Sequence, residues 1–172
     1  MNRYQDTKFN REVVTIHPGE YYVSKGSEYI STILGSCVAI ILFDSVNHIG
    51  GMNHFMLAKS DDTKKNEEMS VPITRFGEYA IEALVDEMIK QGADKNNLQA
   101  KIFGGSNIFN FSDSSPNQVG IVNINFAREV LNKLGIPVLA EDTGGILSRK
   151  IVFDPATFKV LVKKNKGINL KN

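Results

Sequence analysis

The feature that most constrains the fold is an uninterrupted apolar run from Val38 to Phe43, rich in β-branched residues. A run with no polar side to leave in water reads as a strand covered on both faces. Just before it stands a small-residue turn, Gly35-Ser36-Cys37, and just after it a polar break, Asp44-Ser45-Val46-Asn47. Ile49 to Leu57 then resumes as a strand, so the two runs form a predicted β-hairpin. Gly50-Gly51 inside the second run predicts a bulge or a close backbone approach.

The remaining elements fall on either side of this hairpin. Residues 1–12 are polar and aperiodic and are expected to form a flexible tail. Short strands are predicted at Val13–Ile16, Tyr21–Ser24 and Tyr29–Leu34, with Pro18-Gly19 as a turn. Lys59 to Met69 is charged and aperiodic, as in a solvated loop. Thr74 is placed to cap a helix over Arg75–Gln91, with Phe76, Tyr79, Ala80, Ala83, Leu84 and Met88 inward and Gly92 as its left-handed stop. A strand over Leu98–Phe103 ends at Gly104-Gly105, and a polar loop runs from Ser106 to Pro116. A second helix over Gln118–Leu134 turns Val119, Val122, Phe126, Val130 and Leu134 inward and closes at Gly135. Val138–Ala140 leads to Glu141-Asp142-Thr143-Gly144-Gly145, and a last hairpin joins Ile146–Phe153 to Phe158–Lys163. Strands outnumber helices and cluster at both ends, which predicts an α+β layered sheet over 13–164 as one domain, with a polar tail at 165–172.

Composition excludes several functions. The 172 residues carry a formal charge of +1, which gives no reason to expect nucleic acid as partner. One cysteine forms no internal disulfide, and no Cys/His cluster has zinc spacing, so neither metal nor cofactor is expected. The polar N-terminus lacks the apolar core of a signal peptide, and no run approaches the roughly 20 residues that span a bilayer. The expected compartment is the cytoplasm, without membrane insertion.

Chemistry concentrates on Cys37 and His54. A four-residue connection, Asp44 to Asn47, pairs Phe43 with His48 and sets Cys37 opposite His54, whose Cβ atoms would lie about 4.5–5.5 Å apart. His48 falls roughly 20 Å from the cysteine along the strand. An imidazole beside a thiol lowers its pKa through an ion pair, and backbone N–H groups of the Gly35-Ser36 turn can face a developing oxyanion. Such a set suits acyl transfer on an amide or ester. The competing reading is a small buried hydrophobe at a strand start.

Five blocks of sequence resemble one family. They are Pro18-Gly19-Glu20-Tyr21, Leu34-Gly35-Ser36-Cys37-Val38, Gly51 through Leu57, Lys101-Ile102-Phe103-Gly104-Gly105 and Glu141 through Gly145. In this order they resemble CheD, the chemoreceptor glutamine deamidases of chemotaxis. The resemblance implies a layered α/β/β sandwich of mostly antiparallel sheets with two main helices, similar to toxin-type cysteine deamidases. It also implies Cys37 as nucleophile, His54 as its acid and base, and Ser31 where the family has a threonine. Thr32, adjacent on the strand, is expected to point to the other face. Gly104, Gly105, Thr143 and Gly144 are either turn residues or part of the site rim. Phe158 stands where relatives commonly carry a turn glycine. The implied substrate is a glutamine on a receptor's cytoplasmic helices, and the implied further partner is CheC, a phosphatase. Alternatives are a non-catalytic adaptor that binds and stimulates CheC, and a cysteine hydrolase or transglutaminase of other substrates.

Overall fold

The computed structural model describes residues 1–7, 10–60, 72–107 and 118–165. The predicted loops over 59–69 and 106–116, and the C-terminal tail, lie mostly or wholly outside these residues.

Two five-stranded sheets stack face to face, and two helices cover one of them. The outer sheet has the order β1-β2-β4-β9-β10, formed by β1 (Asn2–Asp6), β2 (Arg11–Thr15), β4 (Tyr29–Leu34), β9 (Ser148–Asp154) and β10 (Lys159–Asn165). The central sheet has the order β3-β6-β5-β7-β8, formed by β3 (Tyr21–Ser24), β6 (Ile49–Asn53), β5 (Val38–Asp44), β7 (Leu98–Gly104) and β8 (Val138–Thr143). Only β2/β4 and β7/β8 pair in parallel among these strands. Helices α1 (Gly77–Lys90) and α2 (Val119–Lys133) lie on the central sheet. The layered α/β/β sandwich expected above is thus the observed fold.

Strand β5 is buried at all 7 positions, as its composition requires. Val38, Ile40 and Leu42 pack under the helices, while Ala39, Ile41 and Phe43 face the outer sheet. Each such side chain removed from water contributes about 1.5–3 kcal/mol, so β5 stabilises two cores rather than one.

Several expectations need correction. Residues 2–6 are not a tail: β1 pairs antiparallel with β2 from Asn2↔Thr15 to Asp6↔Arg11. Its residues are polar because most of them stay exposed at the sheet's edge, and this hid the strand from a hydrophobicity reading. Thr74 does not cap α1; its hydroxyl donates to the Gly19 carbonyl, and Phe76 stands at the cap without a side-chain bond. Gly92 does stop α1 in the left-handed region, at φ +102°.

Helix α2 keeps Phe126, Val130 and Leu134 packed against the core as expected, but turns Val119 and Val122 outward. It buries Gly120, Asn123, Ile124, Ala127 and Leu131, while Val119 and Val122 are exposed beside a cavity of about 550 Å³. The reason is backbone contact: a Cβ on Gly120 would lie 2.4 Å from the Gly105 carbonyl oxygen, so the helix rests there on its glycine face.

The hairpin also differs in register. Asp44 remains in the strand opposite Ile49, and the connection is Ser45 to His48. The Asp44 carboxylate accepts from the backbone N–H groups of Val46 and Asn47 and the Asn47 amide, which delays the turn by one residue. Phe43 therefore pairs with Gly50, and the register runs from Asp44↔Ile49 to Ile41↔Met52 without a bulge at Gly50-Gly51. Close approach explains those glycines instead: a Cβ at Gly50 would meet the Phe153 ring at 2.7 Å.

Candidate active site

The register places His54 across from Ala39, and Cys37 two residues further along, across from Met56. A shift of two in the pairing sum keeps every side chain on its original face, so Cys37 and His54 still share the face toward the outer sheet. They are diagonal rather than direct neighbours, a relation that spans about 7–8 Å between strands. Val38 and Phe55 exchange both backbone hydrogen bonds, at 3.1 and 3.0 Å. Between this pair and Met52 the strands part, and the Asn53 side chain fills the gap by accepting from Ile40 N–H at 2.9 Å. His54 itself is held from the other side, where its N–H donates to Glu20 C=O and its C=O accepts from Gly19 N–H.

The third residue is corrected. Ser31 does not meet the histidine: its hydroxyl donates to the Ile151 carbonyl at 3.0 Å, within its own sheet. Thr32 does, with its hydroxyl oxygen 2.8 Å from His54 Nδ1. Ile30, Thr32 and Leu34 alternate onto one face of β4, and Ile30 and Leu34 belong to the core between the sheets. Parity along the chain correctly separated Ser31 from Thr32. It misled because β4 and Cys37 belong to different sheets, so the inward face of β4 is the one that meets His54.

Thr32 also fixes the tautomer. Its single hydroxyl proton goes to the Ile16 carbonyl at 2.8 Å, an acceptor only. Thr32 therefore accepts from His54, whose proton sits on Nδ1, and Nε2 carries the bare lone pair. Nε2 is buried without a hydrogen-bond partner among the described residues. Burial, with a smaller effect of His17, lowers the His54 pKa to about 4, although Glu20 opposes the shift. Cys37 is half-buried, and desolvation pushes its thiol up, against a lesser pull from its own backbone N–H. The expected thiolate–imidazolium pair is therefore not the resting state. Both groups are neutral at pH 7, because the layer that brings them together also strips their water.

The turn before Cys37 is gripped on one side. Gly35 C=O accepts from Ser106 N–H at 2.8 Å, and Cys37 C=O from Gly105 N–H at 2.8 Å. Ser36 C=O accepts from the Asn123 side-chain amide at 3.1 Å. In a planar trans peptide the N–H points opposite to the C=O. The N–H groups of Ser36 and Cys37 are thus turned away from that grip, and neither meets an acceptor on another described residue. Gly104 and Gly105 make the grip possible: at φ +108° a Cβ on Gly104 would lie 2.2 Å from the Cys37 carbonyl oxygen. Gly144 N–H bonds Gly104 C=O, Thr143 pairs with Gly104 in the ladder, and buried Arg149 ties the Gly104, Asp142 and Gly144 carbonyls together.

The profile of the family described as CheD chemotactic sensory transduction matches residues 56–164. A probable chemoreceptor glutamine deamidase CheD of Methylobacillus flagellatus is 44% identical over 168 residues, covering 98% of this chain and 81% of that protein. A protein of the same description from Borrelia turicatae is 44% identical over 163 residues, covering 95% of each. This chain belongs to the CheD family. The matched profile begins after Cys37 and His54, whereas the CheD relatives align across that stretch as well. Among solved structures, the Bacillus licheniformis hypothetical protein YfiH aligns with TM-score 0.43 at 15% identity, over 70% of this chain and 49% of that one.

Asn53 and Asn123 escaped the sequence reading. Asn53 stands within the block from Gly51 to Leu57, but nothing in its spacing says that it fills a ladder gap. A polar residue on an otherwise apolar helix face was the available signal for Asn123.

Proposed function

We propose that this chain is a chemoreceptor glutamine deamidase, hydrolysing glutamine side chains on receptor cytoplasmic helices to glutamate with release of ammonia. The observation that carries the reading is one juxtaposition. A half-buried thiol, a histidine whose Nε2 has no partner among the described residues, and two N–H groups that meet no acceptor on another described residue stand at one end of the layer between the sheets. The named relatives are described as probable chemoreceptor glutamine deamidases, which supplies the substrate class.

Starting from a neutral pair, Cys37 Sγ attacks the carboxamide carbon as its proton passes to His54 Nε2. The N–H groups of Ser36 and Cys37 stabilise the oxyanion. The imidazolium, held by Thr32 at Nδ1, then protonates the nitrogen, and ammonia leaves a thioester. Water, deprotonated by His54, attacks the thioester and frees glutamate and the thiol. The reaction lies in the cytoplasm, where the receptor helices are.

The test is mass spectrometry of a receptor cytoplasmic domain incubated with the protein. Conversion by Cys37→Ala equal to wild type would remove Cys37 as nucleophile. A pull-down with CheC, repeated with Cys37→Ala, measures the partner role independently of catalysis.

A further inference from the structure

Asn123 is a buried carboxamide, 1% exposed, on a helix face otherwise made of Gly120, Ile124, Ala127 and Leu131. Its Nδ2 donates to Ser36 C=O at 3.1 Å and to Met56 C=O at 2.8 Å. Both partners are acceptors only, so the amide orientation is fixed. Its Oδ1 is buried without a partner. Ser36 immediately precedes the nucleophile, and Met56 follows His54 by two residues. One side chain thus spans the two strands that carry the pair. It reaches them because the Gly120 backbone lies against Gly105, one turn earlier.

We propose that Asn123 is a positioning residue for the deamidation: by drawing Ser36 C=O toward α2 it sets the plane of the Ser36–Cys37 peptide, and so aims Cys37 N–H at the sulfur and the reacting carboxamide. The inference rests on the deamidase reading and adds a residue to it. A planar peptide leaves no other freedom: with the carbonyl end fixed, the N–H end is fixed too. The neighbouring carbonyls are held by backbone donors, so only the Ser36–Cys37 plane depends on a side chain.

The experiment uses the full chain with Asn123→Leu and Asn123→Gln. Leu131→Ala, on the same buried face, is the control for helix packing. Thermal midpoint, kcat and KM on receptor domain, and the pH midpoint of Cys37 alkylation by iodoacetamide are measured for each. Asn123→Leu is expected to lose about tenfold to a hundredfold in kcat with KM little changed, and to alkylate with a midpoint at higher pH. Asn123→Gln, which keeps the donor, recovers part of both. A wild-type alkylation profile in Asn123→Leu overturns the proposal. An equal loss of kcat in Leu131→Ala at matched thermal midpoint does the same. If Asn123→Leu does not fold, the smaller Asn123→Ala replaces it in the same comparison. If wild type converts no receptor glutamine, the deamidase reading fails while the alkylation profiles still decide what Asn123 does.

Discussion

The two faces of the central sheet begin alike and end differently. Under the helices, Val38, Ile40 and Leu42 of β5 meet Ala80, Leu84 and Ile124 in a layer that is almost wholly apolar. On the other face, Ala39, Ile41 and Phe43 meet Ile30, Ile151 and Phe153, and one end of the layer is closed by Phe43 stacked on Phe158 at 4.4 Å. Toward the opposite end Phe103, paired with Ala39, continues the apolar layer. There Cys37, His54 and Thr32 project into the same layer, half-buried or buried and uncharged. One face stabilises the fold along its length. The other stabilises at one end and holds Cys37, His54 and Thr32 at the other, dry enough for the thiol and imidazole to be neutral.

The strongest way to break this contrast is Cys37→Ala, expected to lower deamidation by a factor on the order of 10³ or more, with the thermal midpoint little moved. A large loss of stability would mean that the polar end is simply core. Next comes the contrast between neighbours on β4. Thr32→Val is expected to lower kcat by about tenfold to a hundredfold, because it frees the His54 tautomer. Ser31→Ala should leave kcat within about twofold and cost about 1 kcal/mol of stability, the Ile151 carbonyl losing a donor. Equal kinetics for the two would erase the assignment of Thr32.

A third measurement sharpens the claim of neutrality. His54 has a pKa of about 4 in the fold against an ordinary 6.5. The unfolded chain therefore binds more protons between those values, and its stability rises with pH there. The contribution is complete above 6.5, falls as pH drops toward 4, and amounts to about 3 kcal/mol in full. Denaturant titrations at pH 7 and 5 should show the loss, and His54→Leu should flatten it. The acid limb of the rate should sit near pH 4 for the same reason. The smallest effect is expected at the closed end. Phe158 holds φ at +58°, a conformation easier for glycine, yet its ring covers Phe43. In Phe158→Gly the two effects oppose, leaving stability changed by about 1 kcal/mol or less and kcat unchanged.

The layers were legible because β5 has no polar face and the glycine stops at Gly92, Gly104 and Gly135 are local signals. The shared face of Cys37 and His54 was legible by parity alone. A register error of two residues preserved the shared face, where an error of one would have lost it. What stayed hidden depends on contacts between distant segments. The outward turn of Val119 and Val122 on α2 goes with Gly120 resting against Gly105, whereas hydrophobic spacing alone favoured burying both. The choice of Thr32 required knowing which sheet β4 joins. The polar strand β1 is held by pairing with β2, which no apolar pattern announces.

The grip on the Cys37 carbonyl has a consequence for how this site can change. The oxyanion donors proposed above belong to the main chain, so replacing the Ser36 side chain leaves them in place. Sequence variation reaches them through proline at Ser36 or Cys37, which deletes an N–H, through a side chain at Gly104, which displaces the carbonyl behind them, or through Asn123, which holds the Ser36 carbonyl. Position 104 is therefore a silent gatekeeper: it supplies no reactive atom, yet any larger residue there forfeits the geometry on which the reactive atoms depend.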